Sequence, residues 1–368
     1  MLLRRRHAQL GEDMAAIDLL FDHKAQSERL HQVVLSALLL RSRLLERVLD
    51  IQGLRATDFE WEAEKRLFDL GFTVHDPNGN IEQVLVELKI DSELGEAQFQ
   101  RQIQYVAQKP KARLVYLILG LTQITVTEDR LGKWATTPGP AAAAQSPPFV
   151  YVDAARLGQW LSDPKPLLSD GELSQRREVR DLITAYREAL DRLRARTTRF
   201  ASRTVAQWES PDYYGFFAQC RDQIPSMKNA GISYEANPRG GVIVCNWKWT
   251  RLHPDAKLRI YLQMEESKLC LKLKVEDAHK AQRKKLWDAA QAALRQIQSP
   301  IALKLEPTNY HSGTYMTFAS LTDVLGQGEL DIARVSQRLA EAEALVDAMA
   351  PQLLLTAQKL VPVAPTPP

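Results

Sequence analysis

The sequence predicts an α/β domain followed by an α+β domain. Three observations carry this. The first 165 residues alternate helical and strand-like runs, and two of the strands are apolar on both sides, as in a sheet covered on both faces. A stretch rich in proline and charge then interrupts the pattern. From about residue 211, strands follow one another and helices stand apart, the α+β arrangement. The length agrees, since 368 residues at roughly 150 per domain gives two domains. The expected boundaries are 1–165 for the α/β domain, 166–210 for a linker and connecting helix, 211–347 for the α+β domain, and 348–368 for a helix end and disordered tail.

Residues 25–52, "AQSERLHQVVLSALLLRSRLLERVLDIQ", read as one long helix. Apolar positions recur at three- and four-residue spacing, and Ser27 is the cap near its start. "DFEWEAEKR" and "LFDLGFTVHD" read as strands, "DPNG" as a turn, and "IEQVLVELKI" as a third strand. "GEAQFQRQIQYVAQ" is a helix, and "ARLVYLILG" is a fully apolar, central strand. A Pro/Ala-rich loop, "TTPGPAAAAQSPP", leads to the strand "FVYV" and a helix capped by Asp153. "DPKPLLSDGELSQ" is a linker by composition, and "QRREVRDLITAYREALDRLRARTTRF" is an amphipathic helix joining the domains.

In the second domain "GGVIVCNWKW", "KLRIYLQME" and "KLCLKLKVE" are alternating strands. "DAHKAQRKKLWDAAQAALRQI" is a helix, "IALKLE" and "TYMTFASL" are strands, and "DIARVSQRLAEAEALVDAM" is a closing helix.

Along "IEQVLVELKI", Val84, Val86, Leu88 and Ile90 face one side while Leu85, Glu87 and Lys89 face the other. A covered strand thus places a carboxylate beside an ammonium. The preceding turn explains why. Asp76 first, Pro77 second and Gly79 fourth match a type I turn, and Gly79 can take the left-handed position that closes a three-residue loop with a bulge. Paired residue numbers then sum to 156, which sets Asp69 directly opposite Glu87. Opposed residues share a face, with Cβ atoms about 4.5–5.5 Å apart. Phe68, Leu70, Phe72 and Val74 fall on the apolar face with Val86 and Leu88. A two-residue loop at Asn78–Gly79 would instead shift the pairing by one. Asp76 is a rival acid, but a short acceptor at the first turn position serves the loop.

Two opposed carboxylates repel, and a cation between them removes the conflict. Hard oxygen ligands select Mg²⁺ or Mn²⁺ over Zn²⁺. Lys89 lies on the same face, placed to neutralise an anionic substrate or orient a water. Such a group can run metal-assisted hydrolysis of a phosphodiester.

The net charge of +3 is mild, so any basic surface must be local. Cys220, Cys245 and Cys270 are widely spaced and read as small buried hydrophobes in a reducing cytosol. The N-terminus has an arginine cluster but no apolar core with a cleavage site, so no secretory signal is expected. "VVLSALLL" is far short of the ~20 residues of a membrane span, so a cytoplasmic protein is expected. No Gly-rich phosphate loop, nucleophile elbow or His/Cys metal cluster is visible.

With those residues in place, the N-terminal half resembles the PD-(D/E)XK nuclease superfamily, the restriction-endonuclease-like fold. The likeness rests on "RLFDLGF", "VLVELKI" and "QFQRQIQYV", and on the helix–strand–strand–strand–helix–strand order of residues 25–120. Phe68 stands where the name-giving proline would. The resemblance implies a Mg²⁺- or Mn²⁺-dependent nuclease acting on DNA, in restriction or phage defence. It implies Asp69 and Glu87 as metal ligands, Lys89 as the motif lysine, and Gln102 as the helix glutamine near the site. A glutamate from the first helix or strand often joins such a site, and Glu46 and Glu64 are the candidates, with Glu62 behind them. The alternative is a non-catalytic scaffold on the same fold, binding nucleic acid or protein in a larger defence complex or as a homo-oligomer.

In the second domain Lys280, Arg283, Lys284 and Lys285 on one helix, with Lys248 and Arg251 in "NWKWTRL", are candidate phosphate contacts. Trp247 and Trp249 share one strand face by alternation, which favours core packing over base stacking.

Overall fold

A computed structural model describes residues 27–136, 149–168, 177–235, 241–253, 258–297 and 303–361. The expectations for the N-terminal leader, most of the Pro/Ala-rich loop, the later part of the linker and the tail beyond 361 lie outside these residues. The chain is a mixed α/β protein with a five-stranded and a six-stranded sheet. It divides into two compact units, Met1–Arg196 and Thr197–Pro368. Among the described residues no helix is long and apolar enough to cross a membrane.

The first unit begins with α1 (Ser27–Arg41) and α2 (Leu44–Leu49). The sequence reads these as one helix. Ser42 interrupts it: its hydroxyl donates back to Leu38 O (2.6 Å) and accepts from Leu44 N (3.2 Å), while Arg43 N turns to Leu167 O. Then come β1 (Arg55–Trp61), a turn of helix α3 (Ala63–Arg66), β2 (Leu70–His75) and β3 (Gln83–Lys89). Next are α4 (Glu96–Ala107), β4 (Ala112–Ile118), α5 (Thr122–Thr125), α6 (Glu128–Thr136), β5 (Phe149–Asp153) and α7 (Ala154–Leu161). The unit closes with α8 (Arg177–Arg196). Strand order follows the chain, antiparallel from β1 to β3 and parallel from β3 to β5.

Both faces of this sheet are covered. Val84, Val86, Leu88 and Ile90 pack with α1, α2, α7 and α8, while Leu85, Leu114 and Tyr116 pack with α4 and α6. This is why β3 is apolar on both sides. Phe68 is a correction to the alternation. It joins the α4 face, because residues 63–66 are helical and β2 starts only at Leu70. The helix α8 is no free connector either. Ile183, Tyr186, Ala189 and Leu190 are buried in the first unit's core, and His31 on α1 shares a 3.0 Å hydrogen bond with Tyr186.

The second unit starts with α9 (Ser210–Gln223), β6 (Gly231–Glu235), β7 (Val242–Arg251), β8 (Leu258–Glu265) and β9 (Lys268–Val275). It continues with α10 (Arg283–Ile297), β10 (Glu306–Pro307), β11 (Tyr315–Leu321) and α11 (Ile332–Leu360). All pairings are antiparallel, in the order β10-β11-β9-β8-β7-β6. Of the described residues of "IALKLE", 303–306, only Glu306 enters a strand, and α9 and β6 go unread in the sequence. All three cysteines are buried and free.

Candidate active site

The turn fixes the hairpin. Asp76 accepts from three backbone amides, Asn78 N (3.0 Å), Asn80 N (2.8 Å) and Ile81 N (3.1 Å), and its carbonyl accepts from Gly79 N. Gly79 sits at φ 67°, left-handed as the loop requires. Asp76 is therefore committed to the turn. Leu70 pairs with Val86 and Phe72 with Val84, so continuing the ladder by one residue brings Asp69 opposite Glu87.

Asp69 stands just outside β2. Its carboxylate accepts from Leu88 N (2.8 Å) on the facing strand and from Gln32 Nε2 (3.1 Å) on α1. Gln32 is oriented by Arg29, which donates to its Oε1 at 3.1 Å. Glu87 is only 2% exposed. Its Oε1 accepts from Lys89 Nζ and Gln98 Nε2, each at 2.7 Å, and its Oε2 accepts from Gln102 Nε2 at 2.7 Å. Gln98 and Gln102 lie one turn apart on α4, so one helix face supplies both donors. Gln102 also donates to Leu67 O (2.8 Å) and accepts from the Tyr116 hydroxyl (2.7 Å). Each carboxylate is thus steered by a buried glutamine that is itself aimed by a donor, Arg29 for one and Tyr116 for the other.

The electrostatics follow from burial. Glu87 is pushed up to about 7, first by burial and then by the Asp69 charge, against the pull of Lys89. Burial also raises Asp69, opposed by Lys89, by the Leu88 amide and by Arg29. Burial works to lower Lys89, but the Glu87 and Asp69 charges outweigh it, so the ammonium is held protonated. The pair is short of positive charge in this arrangement. One ammonium serves the buried Glu87 and the partly buried Asp69, with the Arg29 charge also acting on Asp69.

A third acid reaches the same ammonium. Glu28, in the first turn of α1, lies 4.0 Å from Lys89 Nζ and accepts from Ser92 Oγ at 2.8 Å. Burial raises it, and the Asp69 and Asp91 charges add to that. The sequence pointed elsewhere for the additional glutamate, and the structure corrects it. Glu46 on α2 pairs with Arg43 (3.1 Å). Glu64 is held by Lys109 (2.9 Å) and Gln83 (3.0 Å), and a hydrogen bond from Tyr105 leads the causes that lower it to about 2. Neither bonds to Asp69, Glu87 or Lys89. Glu62 acts on Asp69 through its charge. Glu28, Arg29, Gln32 and Gln98 went unread. The visible signal for Gln98 was its four-residue spacing from Gln102, whereas only the fold reveals α1's part.

The oxygen-only donor set fits a hard divalent cation. Among the described residues no three His, Cys, Asp or Glu side chains group as metal ligands. Mg²⁺ does not need three, since it keeps several waters and is commonly bound through one or two carboxylates plus substrate phosphates. Asp69 and Glu87 supply two.

The candidate phosphate contacts of the second unit are dispersed. Arg283 is buried, donating to Val275 O and pairing with Asp277 (2.6 Å), so it is no surface contact. Lys248 pairs with Asp347 (2.7 Å), and Lys284 pairs with Asp288 and lies over the Trp287 ring. Lys280, Lys285 and Arg251 are exposed.

No family model, curated protein or solved structure matches the chain.

Proposed function

We propose that the first unit is a Mg²⁺- or Mn²⁺-dependent nuclease hydrolysing a phosphodiester bond, with DNA the substrate, on a restriction-endonuclease-like αβββαβ core. The observation that carries this reading is the Asp69–Glu87–Lys89 group, in which two raised carboxylates, Glu87 buried and Asp69 partly so, share one ammonium. Asp69 and Glu87 would hold the metal, which when bound would acidify a water and stabilise charge building on the phosphate. Lys89 keeps its proton and meets the anionic phosphate or orients the attacking water. Gln32, Gln98 and Gln102 hold the two carboxylates in place.

The test is cleavage of plasmid DNA with Mg²⁺ or Mn²⁺. Glu87→Ala and Lys89→Ala should each abolish cutting while leaving circular dichroism unchanged. Cutting by both variants at the parent's rate would end the assignment.

One observation favours a second reading, a binding scaffold without catalysis: three donors already occupy Glu87. Calorimetry with Mn²⁺ separates the two, because a scaffold with Glu87 so occupied takes up no ion.

A further inference from the structure

Strand alternation puts Trp247 and Trp249 on one face, yet they end on opposite faces. Trp247 is 2% exposed and donates to Glu343 on α11 (2.8 Å), whereas Trp249 is 39% exposed. The cause is a bulge. The β7–β8 register shifts between Trp247 and Thr250, and Lys248 takes the left-handed region at φ 55°. Such a conformation is strained for a non-glycine residue, and bulges recur where a side chain must be re-aimed. Here the side chain is Trp249, which stacks on Tyr261 at 3.9 Å and 8°.

The face it joins is ordered in rows. Directly paired residues share a face. Arg251 pairs with Arg259, Arg259 with Lys274, and Lys274 with Tyr315, so three cations lie side by side across three strands. Arg259 lies over the Trp249 ring at 6.0 Å and Lys274 over the Tyr315 ring at 5.5 Å, so the cations border the aromatic rings directly. Lys274 also pairs with Glu276 (2.9 Å). Two residues along, a strand step of about 6.6 Å, comes Tyr261 under Trp249, with Tyr315 edge-on to Tyr261 at 6.4 Å and itself 55% exposed. Two residues further lies Gln263, paired with Asn246. Then come Glu265, bonded to Lys272 (2.9 Å), and the neighbouring Glu235. These aromatic and polar residues line one pocket of about 520 Å³.

We infer that this sheet face of the second unit binds a nucleotide through its phosphate on the Arg251–Arg259–Lys274 row and its unpaired base on Trp249. Phosphate, ring and hydrogen-bonding edge follow one another in a nucleotide, as cation, aromatic and amide rows do here. Gln263, Asn246 and Glu265 offer donors and acceptors to a base edge, and a carboxylate accepts from an exocyclic amine. A base inside a duplex cannot present its face to Trp249, so the source is single-stranded nucleic acid or a free nucleotide. The inference is independent of the first unit's function.

The experiment uses the full chain in EDTA, which excludes metal-dependent cutting. Fluorescence anisotropy follows a labelled single strand of about ten nucleotides, with unlabelled single strand or duplex of the same sequence as competitor, and tryptophan quenching follows CMP. The single strand should bind, and unlabelled duplex should displace it at least tenfold less effectively than unlabelled single strand. Trp249→Ala and Tyr315→Ala should each weaken binding at least about fivefold, with Trp249→Phe recovering most of the loss. Arg259→Ala and Lys274→Ala should flatten the salt dependence. Saturable CMP quenching that competes with the strand assigns a free nucleotide, and its absence beside strand binding assigns the strand. The inference is overturned if neither probe binds, if unlabelled duplex displaces the labelled strand as effectively as unlabelled single strand does, or if the Trp249 and Tyr315 variants both bind like the parent. Tyr315 is exposed enough that its loss leaves the fold intact.

Discussion

Glu87 makes the chain weaker as the solution turns alkaline, and the size of the effect can be worked out. A carboxyl raised from 4.5 to about 7 binds its proton more tightly when folded. Its stabilising contribution is therefore complete below pH 4.5 and lost as pH rises through about 7. The interval of about 2.5 pH units, at about 1.36 kcal/mol per unit, gives about 3 kcal/mol. Comparing the parent with Glu87→Gln at one pH would mix this with lost hydrogen bonds and an abandoned Lys89. Those losses are constant across pH, so a double difference removes them. Urea unfolding of both proteins at pH 5 and pH 8, without divalent ions, should show the parent losing about 2.5 kcal/mol relative to the variant, since part of the contribution is already gone at pH 5. Adding Mg²⁺ at pH 8 should restore the parent and leave the variant unmoved, because only the parent keeps both carboxylates. A parent-minus-variant difference that does not change between the two pH values refutes the electrostatic account of the site.

Three further outcomes follow from the same geometry. Gln102→Ala strands Leu67 O, Glu87 Oε2 and the Tyr116 hydroxyl; thermal unfolding should report a loss of about 2–3 kcal/mol, with cleavage falling alongside. Asp76→Ala removes the acceptor for three turn amides; its melting temperature should drop while Mn²⁺ affinity in calorimetry stays within twofold, since Asp76 belongs to the turn and not to the metal. Burial lowers His31 to about 4, so its stabilising contribution is complete above 6.5 and is lost as pH falls towards about 4. Measured against His31→Gln, the parent should lose up to about 3 kcal/mol between pH 7 and pH 4.

What the sequence discloses depends on how far apart the determinants lie. The Asp69–Glu87 register could be read because a four-residue turn with a fixed glycine position sets it, a local matter. The two-sided apolar character of β3 was equally local. Gln102 entered through a resemblance, and its neighbour Gln98 could have followed from helical spacing. Glu28, Arg29 and Gln32 could not, because α1 reaches the end of β3 only through tertiary packing, and their spacing suits any amphipathic helix. The helix break at Ser42 turned on a hydroxyl choosing Leu38 O, where propensity alone favoured continuation. The α8 helix looked like a connector because its charged face is plain in the sequence, whereas the groove receiving Ile183 and Tyr186 is built by other segments. Trp249 defeated a period-two rule because the rule assumes that no residue is skipped.

That skipped residue gives β7 a kind of arithmetic. Everything N-terminal to Lys248 follows one parity and everything after it the other, so the strand is sensitive to how many residues it holds as well as to which ones. Removing Lys248 would close the bulge and leave Trp249 paired with Tyr261 on the outer face, whereas keeping Lys248 in regular pairing would turn Trp249 inward beside Trp247. Where the extra residue sits, more than which residue it is, decides the face each ring takes.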